Sequence, residues 1–197
     1  MKKVLVLVVA LVVCALAGTA ADAATYPKLK LRLGTSGTEQ GVDAITANHF
    51  AKLVKEASGG NISITVFPNS QLAGGSMAKN VEMLITGGVF QLGVFSGSVL
   101  GNVDGRLFTH MLPFIFDSYA SASKMMDTTG GAYYAKLLDE KGIVYMSGLH
   151  NGLRKITNKS LDISEPSQLK GLKIRVPSGE VQMRTGAACG ADPVAMN

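Results

Sequence analysis

The chain has 197 residues, a formal net charge of +5, 17 % charged residues and no tryptophan. Its mild basic excess is spread along the chain without interleaved aromatics, which argues against a nucleic-acid-binding surface and favours a small acidic solute as partner. No His-x-x-x-His or Cys-x-x-Cys pair, Gly-x-Ser-x-Gly elbow or glycine-rich phosphate loop followed by lysine occurs, so no zinc, nucleotide or other cofactor and no enzymatic activity is expected.

Residues 1–23 read as an export signal. Lys2 and Lys3 precede an apolar run over 4–16, and Ala21-Asp22-Ala23 supplies a small-x-small cleavage site. The run is too short to span a bilayer comfortably, so the chain is expected in the periplasm and not membrane-spanning after cleavage. Val13 stands before Cys14 where lipid attachment wants a small residue. Once the signal is removed, Cys189 is the only cysteine; no intramolecular disulfide can form, and stability falls to ordinary burial.

From 28 to 35, lysine or arginine alternates with Leu29, Leu31 and Leu33, the period of a strand with one wet face. Over 41–57 the residues Val42, Ile45, Phe50, Leu53 and Val54 follow helical spacing, and Ser58-Gly59-Gly60 is the stop. Residues 61–67 alternate again through Ile62, Ile64 and Val66 up to Pro68, completing a β-α-β unit. Gly74-Gly75-Ser76 opens a helix over 77–86, and an apolar strand is expected over 89–95. Such alternation implies a mostly parallel sheet covered on both faces, with ligands at the carboxyl ends of its strands, here 36–39, 69–75 and 96–98.

Residues 96–117 are glycine-rich, then apolar with Pro113 interrupting; 118–138 predict one helix and 143–147 a strand. After His150 the texture changes to short strands over 153–157 and 172–176, joined by the polar loop 159–168 and followed by a helix over 179–187. This places a domain crossing near 149–152, giving a first α/β domain over 24–150 and the start of a second over 151–197. About 45 residues are few for an independent core, so the second domain is expected to be incomplete.

Arg175 lies in Gly171-Leu172-Lys173-Ile174-Arg175-Val176-Pro177, and Arg154 in Gly152-Leu153-Arg154-Lys155-Ile156. A guanidinium beside a β-branched stretch that stops at proline belongs at a strand end facing a crevice, and its rigid fork of donors matches the two oxygens of a carboxylate. The plainer role for either arginine is a surface salt bridge. His49, His110 and His150 have no metal-ligand spacing.

Pro68-Asn69-Ser70-Gln71-Leu72, Leu112-Pro113-Phe114, Asn151-Gly152-Leu153-Arg154, the stretch 162–177 and the segment 190–196 occur in order and at spacings that resemble the TRAP-transporter substrate-binding proteins of the DctP type. The resemblance implies an α/β, two-domain periplasmic-binding-protein-like fold with mixed sheets flanked by helices. It also implies a receptor that closes on an organic acid and delivers it to TRAP membrane subunits driven by an ion gradient. By the same resemblance Arg175 makes the main paired contact with the ligand carboxylate, Arg154 supports it, and Ser36, Phe95 and Ser96 line the pocket. Phe95 could equally be core and the serines loop residues. Members of that family run about half as long again, so the chain is expected to be shortened at its carboxyl end. The alternatives are an exported ligand-sensing domain for a signalling partner or an exported enzyme acting on a small organic acid.

Overall fold

The computed structural model describes residues 26–159 and 162–196; the signal segment 1–23 lies outside the described residues. The chain forms two parallel sheets with helices packed on them. In the first, β1 (Leu29–Thr35) runs between β2 (Ile62–Phe67) and β3 (Leu92–Val94), in the order β2-β1-β3. Leu33 stands opposite both Val66 and Leu92. Exposure falls along β1, its first residues open and Leu33, Gly34 and Thr35 buried; the strand dives into the interior at its carboxyl end.

The helix α1 (Val42–Ala57) buries Ala44 and Ala47. Asp43 in its first turn accepts the Gly37 N–H at 2.6 Å, tying the turn after β1 to the helix start, where a carboxylate also suits the positive end of the helix. The helix α2 (Met77–Thr86) begins at the predicted place because the Ser76 hydroxyl caps the Lys79 N–H. β3 is shorter than the apolar run 89–95: Gly87 and Gly88 both take positive φ, and the ladder is entered through Gln91, whose side-chain carbonyl accepts the Arg32 N–H at 3.0 Å.

A four-residue helix, α3 (Gly97–Leu100), and the 3-10 helix Gly105–Met111 follow. The single helix expected over 118–138 is two, α4 (Tyr119–Met126) and α5 (Thr129–Asp139). Two consecutive glycines disfavour continuation and allow close approach: a Cβ on Gly131 would overlap the Met126 carbonyl, and one on Gly130 the Met125 sulfur. Leu107 joins Tyr134, Leu137 and Leu138 of α5 in a buried cluster, flanked by Leu100, Met126, Ile143 and Tyr145.

The strands expected over 143–147 and 153–157 do not form. Their residues find no ladder partner among the described residues, and Val144 and Met146 are 82 % and 63 % exposed; β-branched composition alone makes no strand without a neighbour to accept its hydrogen bonds. The second sheet is β4 (Lys173–Val176) and β5 (Asp192–Ala195), joined by α6 (Glu180–Ala188), with Arg175 opposite Val194. β5 is not apparent from sequence, because Pro193 argues against a strand; in a two-stranded sheet it sits on an edge, where a missing N–H is tolerated. Every ladder among the described residues is parallel.

Candidate ligand-binding site

The carboxyl end of β1 is held by a small polar cluster. Asn69 and Ser70 both adopt left-handed backbone, with φ of 55° and 48°, which folds the turn after β2 back so that the Ser70 N–H reaches the Thr35 carbonyl at 2.9 Å. From α2 the buried Asn80 donates to the Thr35 carbonyl and to the Ser70 hydroxyl, each at 3.3 Å. The Thr35 and Ser36 hydroxyls and the Asn80 side-chain carbonyl are buried there without a hydrogen-bond partner among the described residues.

At the end of β3, half-buried Phe95 packs against Phe90 with ring centroids 6.2 Å apart, and its ring lies where a Cβ on Gly93 would be. Ser96 starts α3: its hydroxyl caps the Ser98 N–H at 3.4 Å and lies 2.8 Å from the Ser98 hydroxyl. Ser36, Phe95 and Ser96 therefore share one end of one sheet, the end expected to receive ligand.

The second sheet presents the same kind of end to this one. After β4, Pro177-Ser178-Gly179 turns into α6, and the Ser98 carbonyl approaches Gly179 so closely that no side chain could be accommodated there. Asn102 donates to the Ser178 carbonyl at 3.3 Å. In the first turn of α6, Gln182 is only 6 % exposed, and among the described residues neither polar atom of its amide, nor the Ser178 hydroxyl, has a partner. Buried polar groups of this kind are costly unless something hydrogen-bonds them.

Arg175 lies on the exposed side of β4, and among the described residues it has no hydrogen-bond or ion-pair partner; the same is true of Arg154. The other arginines with strong contacts are committed: Arg106 bridges Asp104 and Glu140 at 2.7 and 2.9 Å, and Arg184 pairs with Glu180 on α6. The Arg106 guanidinium holds the Asp104 carboxyl down to about 2, and the two carboxylates push Arg106 upward in return. Arg154 has a different support from Arg175. Its segment is seated on α4, where Tyr119 accepts the Leu153 N–H at 3.4 Å, Ser123 bonds the His150 ring at 2.8 Å and the Tyr119 and His150 rings meet edge to face. No hydrogen bond joins either arginine to Ser36, Phe95 or Ser96.

Sequence reasoning missed Ser178, Gln182 and Asn80. Only Asn80 left a trace, as an amide interrupting the apolar stripe Met77, Val81, Leu84 of its helix. Among the described residues no group of three His, Cys, Asp or Glu could hold a metal, and no helix is long and apolar enough to cross a membrane.

Two parallel α/β layers thus meet near the carboxyl ends of their strands, with neutral polar groups between them and, on β4, an exposed guanidinium that has no partner among the described residues. The sequence pattern of the DctP family, bacterial extracellular solute-binding protein family 7, matches residues 33–197, and the chain belongs to that family. It is 33 % identical over 152 residues to the C4-dicarboxylate-binding protein DctB of Bacillus subtilis, covering 76 % of this chain and 42 % of that protein. It is 26 % identical over 166 residues to the 2,3-diketo-L-gulonate-binding periplasmic protein YiaO of Escherichia coli, covering 84 % and 50 %. Its fold matches a TRAP periplasmic solute-binding protein from a Sulfitobacter species with bound β-D-galacturonate, at a TM-score of 0.79 and 28 % identity, covering 85 % of this chain and 55 % of that one. The chain thus spans about half the length of the relatives it matches.

Proposed function

We propose that the chain is the ligand-recognising part of an exported TRAP-transporter receptor. It binds a small organic acid through its carboxylate and presents it to the membrane subunits. Residues 1–23 direct export; 24–150 form the first domain and 151–197 the start of the second. Ser36, Phe95 and Ser96 receive the body of the ligand from the first domain. Arg175 clamps the carboxylate from the second and Arg154 supports it. Hinge closure is the physical means, since a ligand that touches both sides favours the closed form by the contacts it makes only there.

Arg175 carries the proposal. It is a guanidinium with no partner among the described residues, on a strand whose following turn meets the carboxyl end of the other sheet at Ser98 and Gly179. Relatives named for C4-dicarboxylate and 2,3-diketo-L-gulonate, and one holding β-D-galacturonate, support an acid as the ligand class. The neutral Ser178 and Gln182 groups suit hydroxyl or carbonyl oxygens on the same acid.

Calorimetric titration of the chain with succinate and D-galacturonate, repeated with Arg175→Ala, tests this. Truncating one partner of a desolvated charge pair typically costs about 2–5 kcal/mol, which corresponds to roughly 30- to 5,000-fold weaker binding. Equal affinity in both proteins would remove Arg175 from the site.

A further inference from the structure

Behind the Ser96–Gly97 segment lies a histidine that the proposed site does not use. His110, on the 3-10 helix Gly105–Met111, makes two hydrogen bonds to one atom of α5: its backbone N–H reaches the Tyr134 hydroxyl at 3.0 Å, and its ring Nδ1 lies 2.7 Å from the same oxygen. The two rings meet edge to face, centroids 5.3 Å apart. The far edge of the imidazole, Nε2 and Cε1, presses on Gly97, where a Cβ would overlap it; four residues on, the Phe108 ring presses on Gly101 in the same way. The short helix α3 thus rests on two rings of the 3-10 helix through two residues that lack side chains, and its Ser98 carbonyl is the group that meets Gly179.

We propose that the His110–Tyr134 pair is a positioning device for the ligand site, fixing the backbone at Ser96–Gly97 from behind; this rests on the assignment of Ser96 and Phe95 to that site. With Tyr134 accepting the His110 backbone N–H, the proposed arrangement has the phenol proton on Nδ1 and the single ring proton on Nε2 at the Gly97 edge; the reverse, with Nδ1–H donating to the same oxygen, is the tautomer that imidazole NMR separates from it. Charging the ring would put a second proton on Nδ1, so the bond must reverse: Nδ1–H then donates to the phenol oxygen, whose own proton has to turn away to another acceptor.

Burial holds the His110 pKa below its ordinary 6.5 against a weaker opposing pull from the Leu107 carbonyl. Burial likewise raises Tyr134, with Tyr145 and Tyr133 adding to the effect. The charged groups on the elements packed around the histidine are Arg106, bonded to Asp104 and Glu140, and the Glu180–Arg184 pair of α6. None of them bonds the imidazole.

Nitrogen-detected imidazole NMR on the chain without ligand, from pH 7.5 to 5, reads the device directly in the wild type, Tyr134→Phe and His110→Asn. The expected result is a neutral ring protonated on Nε2 at pH 7, charging with a midpoint below 6.5 and moving the Gly97 and Ser98 amides in step. Tyr134→Phe should abolish the tautomer preference. His110→Asn keeps an acceptor for Tyr134 but loses the edge against Gly97, so it should shift those amides and remove their pH dependence. Titrations with succinate and D-galacturonate over the same range should show affinity falling as His110 charges, and about 2- to 30-fold weaker binding at pH 7 in either variant, the range for groups that act on a site through a contact. A ring protonated on Nδ1, a midpoint at the ordinary value with the Gly97 amide unmoved, or acid affinity unchanged in both variants would overturn the proposal. Failure of every acid to bind the wild type, with the NMR behaviour as expected, would instead overturn the carboxylate assignment and leave the brace on Gly97 standing.

Discussion

β1 and β4 are both short parallel strands followed by a turn and a helix, yet they end in opposite circumstances. β1 has a neighbour on each side, and its last three residues are buried; β4 has one neighbour, and its side chains alternate between exposed and half-buried. A strand flanked on both edges commits its end to structure, as the Thr35 carbonyl does in receiving Ser70 and Asn80. A strand with an open edge keeps a charged side chain such as Arg175 available. In the proposed site the first sheet would supply the anchored wall and the second the group that responds.

Core truncations should expose this contrast most strongly. Leu137→Ala, in the cluster with Leu107, Tyr134 and Leu138, should destabilise the chain by about 2–5 kcal/mol, whereas Ile174→Ala on half-buried β4 should cost below about 2 kcal/mol. Urea denaturation of both variants measures this, and equal losses would break the comparison. Next in size is Asn80→Ala, which strips the Thr35 carbonyl and the Ser70 hydroxyl of a buried donor and should cost about 1–3 kcal/mol. A loss near zero would mean that the β1 end is not held by its polar cluster.

The smallest effect is electrostatic and lies away from both strand ends. Asp104 is depressed from 3.8 to about 2 by Arg106, so its stabilising contribution is present above pH 3.8 and is lost as pH falls towards 2. Urea midpoints of wild type and Asp104→Asn should therefore differ slightly at pH 5 and converge near pH 2. A gap that persists at pH 2 would mean that the substitution acts by something other than charge.

The β-α-β-α start of the chain was legible because each element has its own periodicity and a glycine or serine boundary; α2 runs over the predicted residues, and β1, α1 and β2 within a residue of them. What failed depended on neighbours that local sequence does not encode. Residues 143–147 and 153–157 have strand composition and no partner, while Pro193 hides a strand that survives because it lies on an edge. The same division runs through the site. The place of Arg175 on a strand could be read from a short β-branched stretch ending at proline. Gln182 looks like any polar residue of an exposed helix, and it is buried where the Ser98 backbone and the Phe108 ring approach Gly179. His110 and Tyr134, 24 residues apart, carry no shared motif.

At Gly179 the Ser98 carbonyl and the Phe108 ring stand where a side chain would otherwise be, beside the Gln182 amide of α6 itself. A glycine there has no side chain of its own to move aside, so adjustment at this contact falls to backbone torsion and to the neighbouring Phe108 and Gln182 side chains. In the proposed closure, rotation of β4 about this contact would set the reach of Arg175. If the proposed acid bridges the two strand ends, its length would register as an angle between the sheets, and an alanine at 179, overlapping the Ser98 carbonyl, would press those ends apart before any ligand arrived.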